Sequence, residues 1–223
     1  MGGRGLRLRS LTDNRPKAMV PVCGRPLVDW VLRWLAKNAI EQVVIGVAYQ
    51  KEQIIDYVGE GRRHGMNLQY SHHTVEGGTA QGFRLAIERY VDDDDFVAMN
   101  GDELTNIDLR DFGSYHVTRG GTATIAVSPL RCPFGGLKIS GEDVLGFQEK
   151  PLIDSLPVSI GIYMFQRRIL DYLPKVGDIE KTVFPRLASE KKLKAYRHDG
   201  FWMTINTLKD LEDVEKRVLE MGV

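Results

Sequence analysis

Gln42-Val43-Val44-Ile45-Gly46-Val47-Ala48 reads as a continuous apolar run of strand length. A strand without alternating polar positions must be covered on both faces. Ahead of it, residues 26–37 read as an amphipathic helix. Leu27, Val28, Val31, Leu32 and Leu35 follow the helical period, and Pro26 suits the first turn. Trp30 and Trp34, one turn apart, read as core or interface residues. Downstream, residues 51–59 form a second predicted helix, 67–71 a short strand, 79–90 a helix and 95–100 another buried strand. Helices alternating with covered strands predict an α/β fold with a doubly wound, mainly parallel sheet.

The second half has a different rhythm. Residues 122–128, 136–139, 144–148 and 158–165 read as successive strands with short links. Further elements follow at 167–173, 183–191, 194–196, 201–206 and 208–220. No repeat, low-complexity tract or linker interrupts the 223 residues, so a single domain is expected. Its two halves divide at 1–118 and 119–223.

Composition excludes several classes of function. Apolar residues make up 43% and charged residues 27%, as in ordinary globular proteins. The formal net charge is zero, which removes any global electrostatic case for nucleic-acid or membrane-surface binding. No apolar run approaches the roughly 20 residues that span a bilayer. Cys23 and Cys132 have no motif spacing and read as reduced thiols of a cytoplasmic protein, packed as small apolar residues. Asp92 to Asp95 reads as a solvated acidic turn. His72 and His73, adjacent on a strand, point to opposite faces and are assigned no ligand role.

The opening residues carry the chemistry. Gly2, Gly3 and Gly5 stand beside Arg4, Arg7, Arg9 and Lys17. Backbone amides without side chains can close around phosphate oxygens, while arginine supplies a fork of donors and lysine a point charge. The segment therefore reads as a polyphosphate cradle. Pro16-Lys17, Met19-Val20-Pro21-Val22 and Gly24-Arg25-Pro26 continue it as alternating turn and apolar residues.

The whole stretch resembles the signature of the sugar-1-phosphate nucleotidylyltransferases, roughly G-G-x-G-T-R-L-x-P-L-T, a short gap, then P-K-P-M-x-P-V-x-G-K-P. Gly2, Gly3, Gly5, Arg7, Leu8, Leu11 and Thr12 match its first part; Pro16, Lys17, Met19, Pro21, Val22, Gly24 and Pro26 match its second. Leu6 and Ser10 depart from it. In that family a hydrophobic strand of about six residues precedes the glycines, so a missing or truncated first strand is expected here.

The resemblance extends along the chain. It implies a GT-A-like, Rossmann-like three-layer αβα fold with a mixed, mainly parallel sheet. It implies transfer of a nucleotidyl group from a nucleoside triphosphate to a sugar 1-phosphate, with Mg²⁺ as cofactor. Asn100-Gly101-Asp102-Glu103-Leu104 places Asp102 as the metal ligand, beyond the carboxyl end of a strand where open α/β sheets bind ligands. Glu76-Gly77-Gly78-Thr79-Ala80 resembles the segment contacting base and phosphates, so Gly78 and Thr79 join Gly2, Gly3 and Gly5 as nucleotide-binding residues, with Thr79 also able to cap its helix. Gln148-Glu149-Lys150-Pro151 resembles E-K-P, giving Glu149 the sugar hydroxyls and Lys150 the sugar phosphate. Phe134-Gly135-Gly136 and Val158-Ser159-Ile160-Gly161-Ile162-Tyr163 put Gly135, Ser159 and Gly161 near the sugar, Ser159 replacing an asparagine.

In Phe201-Trp202-Met203-Thr204-Ile205-Asn206-Thr207-Leu208-Lys209-Asp210, the spacing fits a W-x-x-x-D-T-x-x-D branch, with Asn206 at its second metal-binding aspartate. An amide offers a carbonyl oxygen but no charge. Asn206 or Thr207 could equally serve as a helix cap. Arg7, Lys17 and Asp102 are the implied catalytic set. The resemblance leaves room for a homo-oligomer built through apolar helices such as 27–35. Two other readings stay open: a non-catalytic nucleotide-sugar-binding regulatory paralogue, and a GT-A glycosyltransferase, which would want Asp-x-Asp where Asn100-Gly101-Asp102 stands.

Overall fold

The computed structural model describes residues 9–223, with residues 9 and 10 described by backbone alone. In chain order the helices are α1 (Arg9–Thr12), α2 (Leu27–Lys37), α3 (Lys51–Val58), α4 (Gly78–Tyr90), α5 (Leu109–Arg119), α6 (Ile179–Ser189) and α7 (Leu208–Arg217). The strands are β1 (Pro21–Val22), β2 (Arg25–Pro26), β3 (Gln42–Val47), β4 (Asn67–His72), β5 (Asp95–Met99), β6 (Glu103–Thr105), β7 (Ala123–Arg131), β8 (Gly136–Ser140), β9 (Asp143–Gln148), β10 (Leu152–Gln166), β11 (Leu193–Arg197) and β12 (Trp202–Thr204).

The central sheet has the order β11-β7-β10-β5. β7 and β11 are parallel, whereas β10 runs antiparallel to both β7 and β5. Three of its four strands therefore share one direction. β3 and β4 form a separate parallel pair. Alternation along β10 shows how both faces are covered. Ile162 and Met164 enter one apolar cluster with α2, α5 and α7, while Tyr163 and Phe165 enter a second with α4 and α6. Helices thus flank the sheet on both sides, the three-layer arrangement expected from the sequence. Tyr163 and Phe165 stack at 5.3 Å, and Phe83 of α4 meets both edge-on.

Local chemistry sets the element boundaries. Pro26 is extended and precedes α2, whose Leu27, Val28, Trp30, Val31, Leu32, Trp34 and Leu35 are all buried. The indole N–H groups of Trp30 and Trp34 donate to the carbonyls of Val22 and Ile107. The apolar face of this helix is consumed by the protein's own core, so it does not supply the oligomer interface expected of it. Asp108 caps α5 by accepting from the amides of Arg110 and Asp111. Cys23 is exposed rather than packed inside; it sits at positive φ, where its backbone N–H reaches Glu215. The acidic run stays at the surface, Asp92 pairing with Arg167 and Asp95 with His116. No helix among the described residues is long and apolar enough to cross a membrane.

β3 and β5 face a shared cavity of about 860 Å³, lined by Val43 and Val44 on one side, Val97 and Met99 on the other, and Phe83 and Ala86 of α4. No strand among the described residues lies between them.

Burial also sets a pH dependence. It pushes the imidazole pKa values of His64, His73, His116 and His198 below the usual histidine value. His116 is fully buried between the Thr124 hydroxyl at 2.6 Å and the Asp95 carboxylate at 3.2 Å, and that carboxylate opposes the shift without cancelling it. A depressed folded-state pKa means that the unfolded chain takes up protons first. These histidines stabilise the fold above about pH 6.5, and the contribution is lost as pH falls below it. The urea midpoint is therefore expected to drop between pH 7.5 and 5.5. A flat midpoint across that range would contradict this burial pattern.

Candidate active site

Pro16 holds the chain extended into a 3₁₀ turn, Lys17–Met19, and aims Lys17 inward. Its ammonium donates to Asp102 Oδ2 at 2.6 Å and to Asn206 Oδ1 at 3.2 Å. Three segments far apart in sequence meet at this atom. Asp102 stands in the turn after β5, beyond the strand's carboxyl end. Asn206 stands one residue before Thr207, which precedes α7. Thr207, not Asn206, caps that helix: its hydroxyl accepts from the Asp210 amide, and Asp210 Oδ2 accepts from the amides of Thr207 and Asn206. The Asn206 side chain is thereby left to face Lys17.

Glu103, beside Asp102, is almost fully buried and accepts from the Trp202 indole at 2.8 Å. Burial and then the Asp102 charge push its pKa up to about 8, against the Trp202 hydrogen bond and the Lys17 charge. At neutral pH it is mainly a neutral acid, so the negative charge next to Lys17 is concentrated on Asp102. The sequence reading missed Glu103; its place beside the metal-ligand position was the only signal.

Gly161, at φ +71°, is required by close approach. A Cβ there would lie 2.9 Å from Asn100 Nδ2 and from Glu103 Oε1. Its carbonyl accepts from the Asn100 amide, and its own amide reaches Ser159 Oγ. Ser159 and Gly161 thus join the Asp102 loop through β10.

Gly78 and Thr79 do something the sequence did not disclose. Gly78 is at φ +70°, and a Cβ there would meet the Gly177 carbonyl oxygen at 2.3 Å. Thr79 lies inside α4 rather than capping it; its hydroxyl accepts from the Ile179 amide and donates to Glu180, so it serves the start of α6. The pair locks α4 to α6. Both also border the 860 Å³ cavity, together with Lys17 and Asp102.

Gly135, Glu149 and Lys150 lie on the β8–β9 hairpin, outside that lining. A Cβ on Gly135 would strike the Phe147 ring at 2.5 Å, and Glu149 Oε2 is near the same point. Lys150 occupies a turn at φ +47°. Gly2, Gly3, Gly5 and Arg7 lie outside the described residues.

The donors present suit a hard cation. Asp102 and Asn206 direct one carboxylate and one amide oxygen at the point where the Lys17 ammonium now sits. Magnesium keeps several waters and commonly uses one or two carboxylates plus substrate phosphates. No cluster of three His, Cys, Asp or Glu exists among the described residues, so further ligands would come from substrate and water.

A family model described as "Nucleotidyl transferase" matches residues 1–221. The chain belongs to the nucleotidyl transferase family. It is 32% identical over 217 residues to a mannose-1-phosphate guanylyltransferase catalytic subunit beta of Dictyostelium discoideum, covering 94% of this chain and 60% of that protein. It is 29% identical over 242 residues to a UTP–glucose-1-phosphate uridylyltransferase of Synechocystis, covering 99% and 62%. The chain thus spans about three-fifths of these two relatives. A probable glucose-1-phosphate cytidylyltransferase of Bacillus subtilis, 28% identical, is matched over 92% of its length. The fold is shared with HddC from Yersinia pseudotuberculosis, in a crystal structure complexed with GMP-PN. There the TM-score is 0.77 at 21% identity, covering 97% of this chain and 96% of that one.

Proposed function

We propose that the chain catalyses formation of a nucleoside-diphosphate sugar and pyrophosphate from a nucleoside triphosphate and a sugar 1-phosphate. An oxygen of the sugar phosphate bonds to the α-phosphorus as the bond to the pyrophosphate oxygen breaks. The nucleophile is already ionised, so no general base is needed. The obstacle is electrostatic, since two unit charges 4 Å apart repel by about 4 kcal/mol at an effective dielectric near 20.

The observation that carries this reading is Lys17, which lines the cavity with Asp102 and is held by Asp102 and Asn206. An ammonium so placed can exchange carboxylate for phosphate oxygens and lower the repulsion between attacking and α-phosphates. Arg7 and the glycines at 2, 3 and 5 are assigned to the triphosphate, and Gly78 and Thr79 to the nucleotide. Gly135, Glu149, Lys150, Ser159 and Gly161 are assigned to the sugar phosphate. Mg²⁺, held by Asp102 and the Asn206 oxygen, would neutralise phosphate charge. We place the reaction in the cytoplasm, in keeping with two free cysteines.

The test is Mg²⁺-dependent pyrophosphate release across a panel of nucleoside triphosphates and sugar 1-phosphates. Release with at least one pair is expected. The Asn206 amide, where a carboxylate would bind metal more strongly, favours one alternative: a non-catalytic nucleotide-sugar-binding paralogue. Triphosphate binding with no pyrophosphate from any pair would establish that alternative instead.

A further inference from the structure

The β8–β9 hairpin is amphipathic, and its apolar side is bare. Leu137 stands opposite Phe147, and Ile139 opposite Val144, so these four side chains share one face. The other face carries Gly136, Lys138 and Ser140 against Gln148, Gly146 and Asp143. Leu145 is the extra residue at the irregularity between the two apolar pairs, and Phe134 leads into the hairpin. These six large apolar residues are between 54% and 74% exposed. An antiparallel pair normally packs its apolar face and wets its polar one. Among the described residues nothing covers the apolar face here. The hairpin is also a two-stranded sheet of its own, and such a pair is marginal in water unless something packs on it.

We infer that this face is the interface of a homodimer, in which the hairpin of one copy packs on the same face of the hairpin of a second. The area fits that occupant. At roughly 100 Å² for each large side chain left more than half exposed, the six give on the order of 600 Å² per copy. That is the upper end of the largest apolar patch on an ordinary monomer, and it approaches the roughly 800 Å² per partner of a standard interface. The face is also self-complementary, because an isologous contact sets it against itself and it carries no charge to be buried there. Charge selects the orientation. The tip holds Glu142 and Asp143, and the root holds Arg131. Among the described residues these three form no ion pair. Packing tip over tip would crowd four carboxylates, whereas antiparallel packing sets each acidic tip over the partner's Arg131. α2 has already spent its apolar face on the core, which leaves the hairpin to make the contact.

Sedimentation equilibrium of the full chain provides the test. The wild-type chain is expected at twice its 25.2 kDa mass, dissociating with a constant of about 1 µM or tighter. Ile139→Asp combined with Val144→Asp sets like charges against each other at the centre of the interface and should weaken association about 100-fold or more. Both positions are 60% exposed in the single chain, so the far-UV circular dichroism of this variant should match that of wild type. Leu219→Asp, equally apolar and exposed but in the turn after α7, should leave the dimer intact. A charge exchange tests the orientation without touching the apolar side chains: Glu142→Arg should weaken the dimer, and adding Arg131→Glu should restore it. A monomeric wild-type chain, whether or not it binds phosphatidylcholine vesicles, would overturn the inference. So would a dimer that survives the double aspartate variant, or one that Leu219→Asp weakens as much. Failure of Arg131→Glu to rescue Glu142→Arg would overturn the antiparallel arrangement.

Discussion

Lys17→Met is expected to lower pyrophosphate release at least 100-fold while leaving the fold intact. One preorganised charge aimed at developing phosphate charge contributes on the order of 10²- to 10³-fold in rate. The Lys17 side chain is only 13% exposed, so its ammonium acts where water screens poorly. The structural cost is smaller. Asp102 is about one-third exposed and regains water when its partner is lost, so the pair contributes no more than about 1 kcal/mol to folding. A Lys17→Met chain should therefore melt within a few degrees of wild type. Lys17→Arg should restore only part of the rate, because the planar fork keeps the charge but is bulkier than a compact ammonium in a site where the lysine side chain is only 13% exposed. Asp102→Asn should cost a similar factor, with the loss growing as Mg²⁺ is lowered. Pyrophosphate release unchanged in Lys17→Met would remove this residue from the mechanism.

The fold was legible where periodicity is strong. α2, β3, α4 and β5 lie within a residue or two of the expected positions, because covered strands and one-faced helices leave unmistakable apolar patterns. α5 escaped notice: Gly113, Val117 and Thr118 weaken its helical signal, and its stability comes from the Asp108 cap and burial of Leu109, Phe112 and His116. The site was legible as motifs but not as contacts. Lys17, Asp102 and Asn206 could each be singled out, yet only the fold shows them meeting at one ammonium. Thr79 was expected to cap its own helix and instead caps α6, a partnership 100 residues away that no local pattern can encode.

Gly78→Ala is expected to lower the melting temperature by about 4 °C or more. Gly78 sits at φ +70°, where an added Cβ would meet the Gly177 carbonyl oxygen at 2.3 Å and its carbon at 2.7 Å. Both atoms belong to backbone, so no side-chain rotation relieves the contact, and the seam between α4 and α6 must open. Left-handed backbone alone costs a residue with a Cβ about 1–2 kcal/mol, and the opening adds to it. A domain of this size loses about 2–4 °C per kcal/mol. Gly82→Ala, one turn further along α4, is the control: its Cβ would meet only the His73 ring, at 3.5 Å, and an alanine in a helix is neutral or slightly stabilising there. If Gly78→Ala melted with the control, α4 and α6 would not be held at this distance in solution.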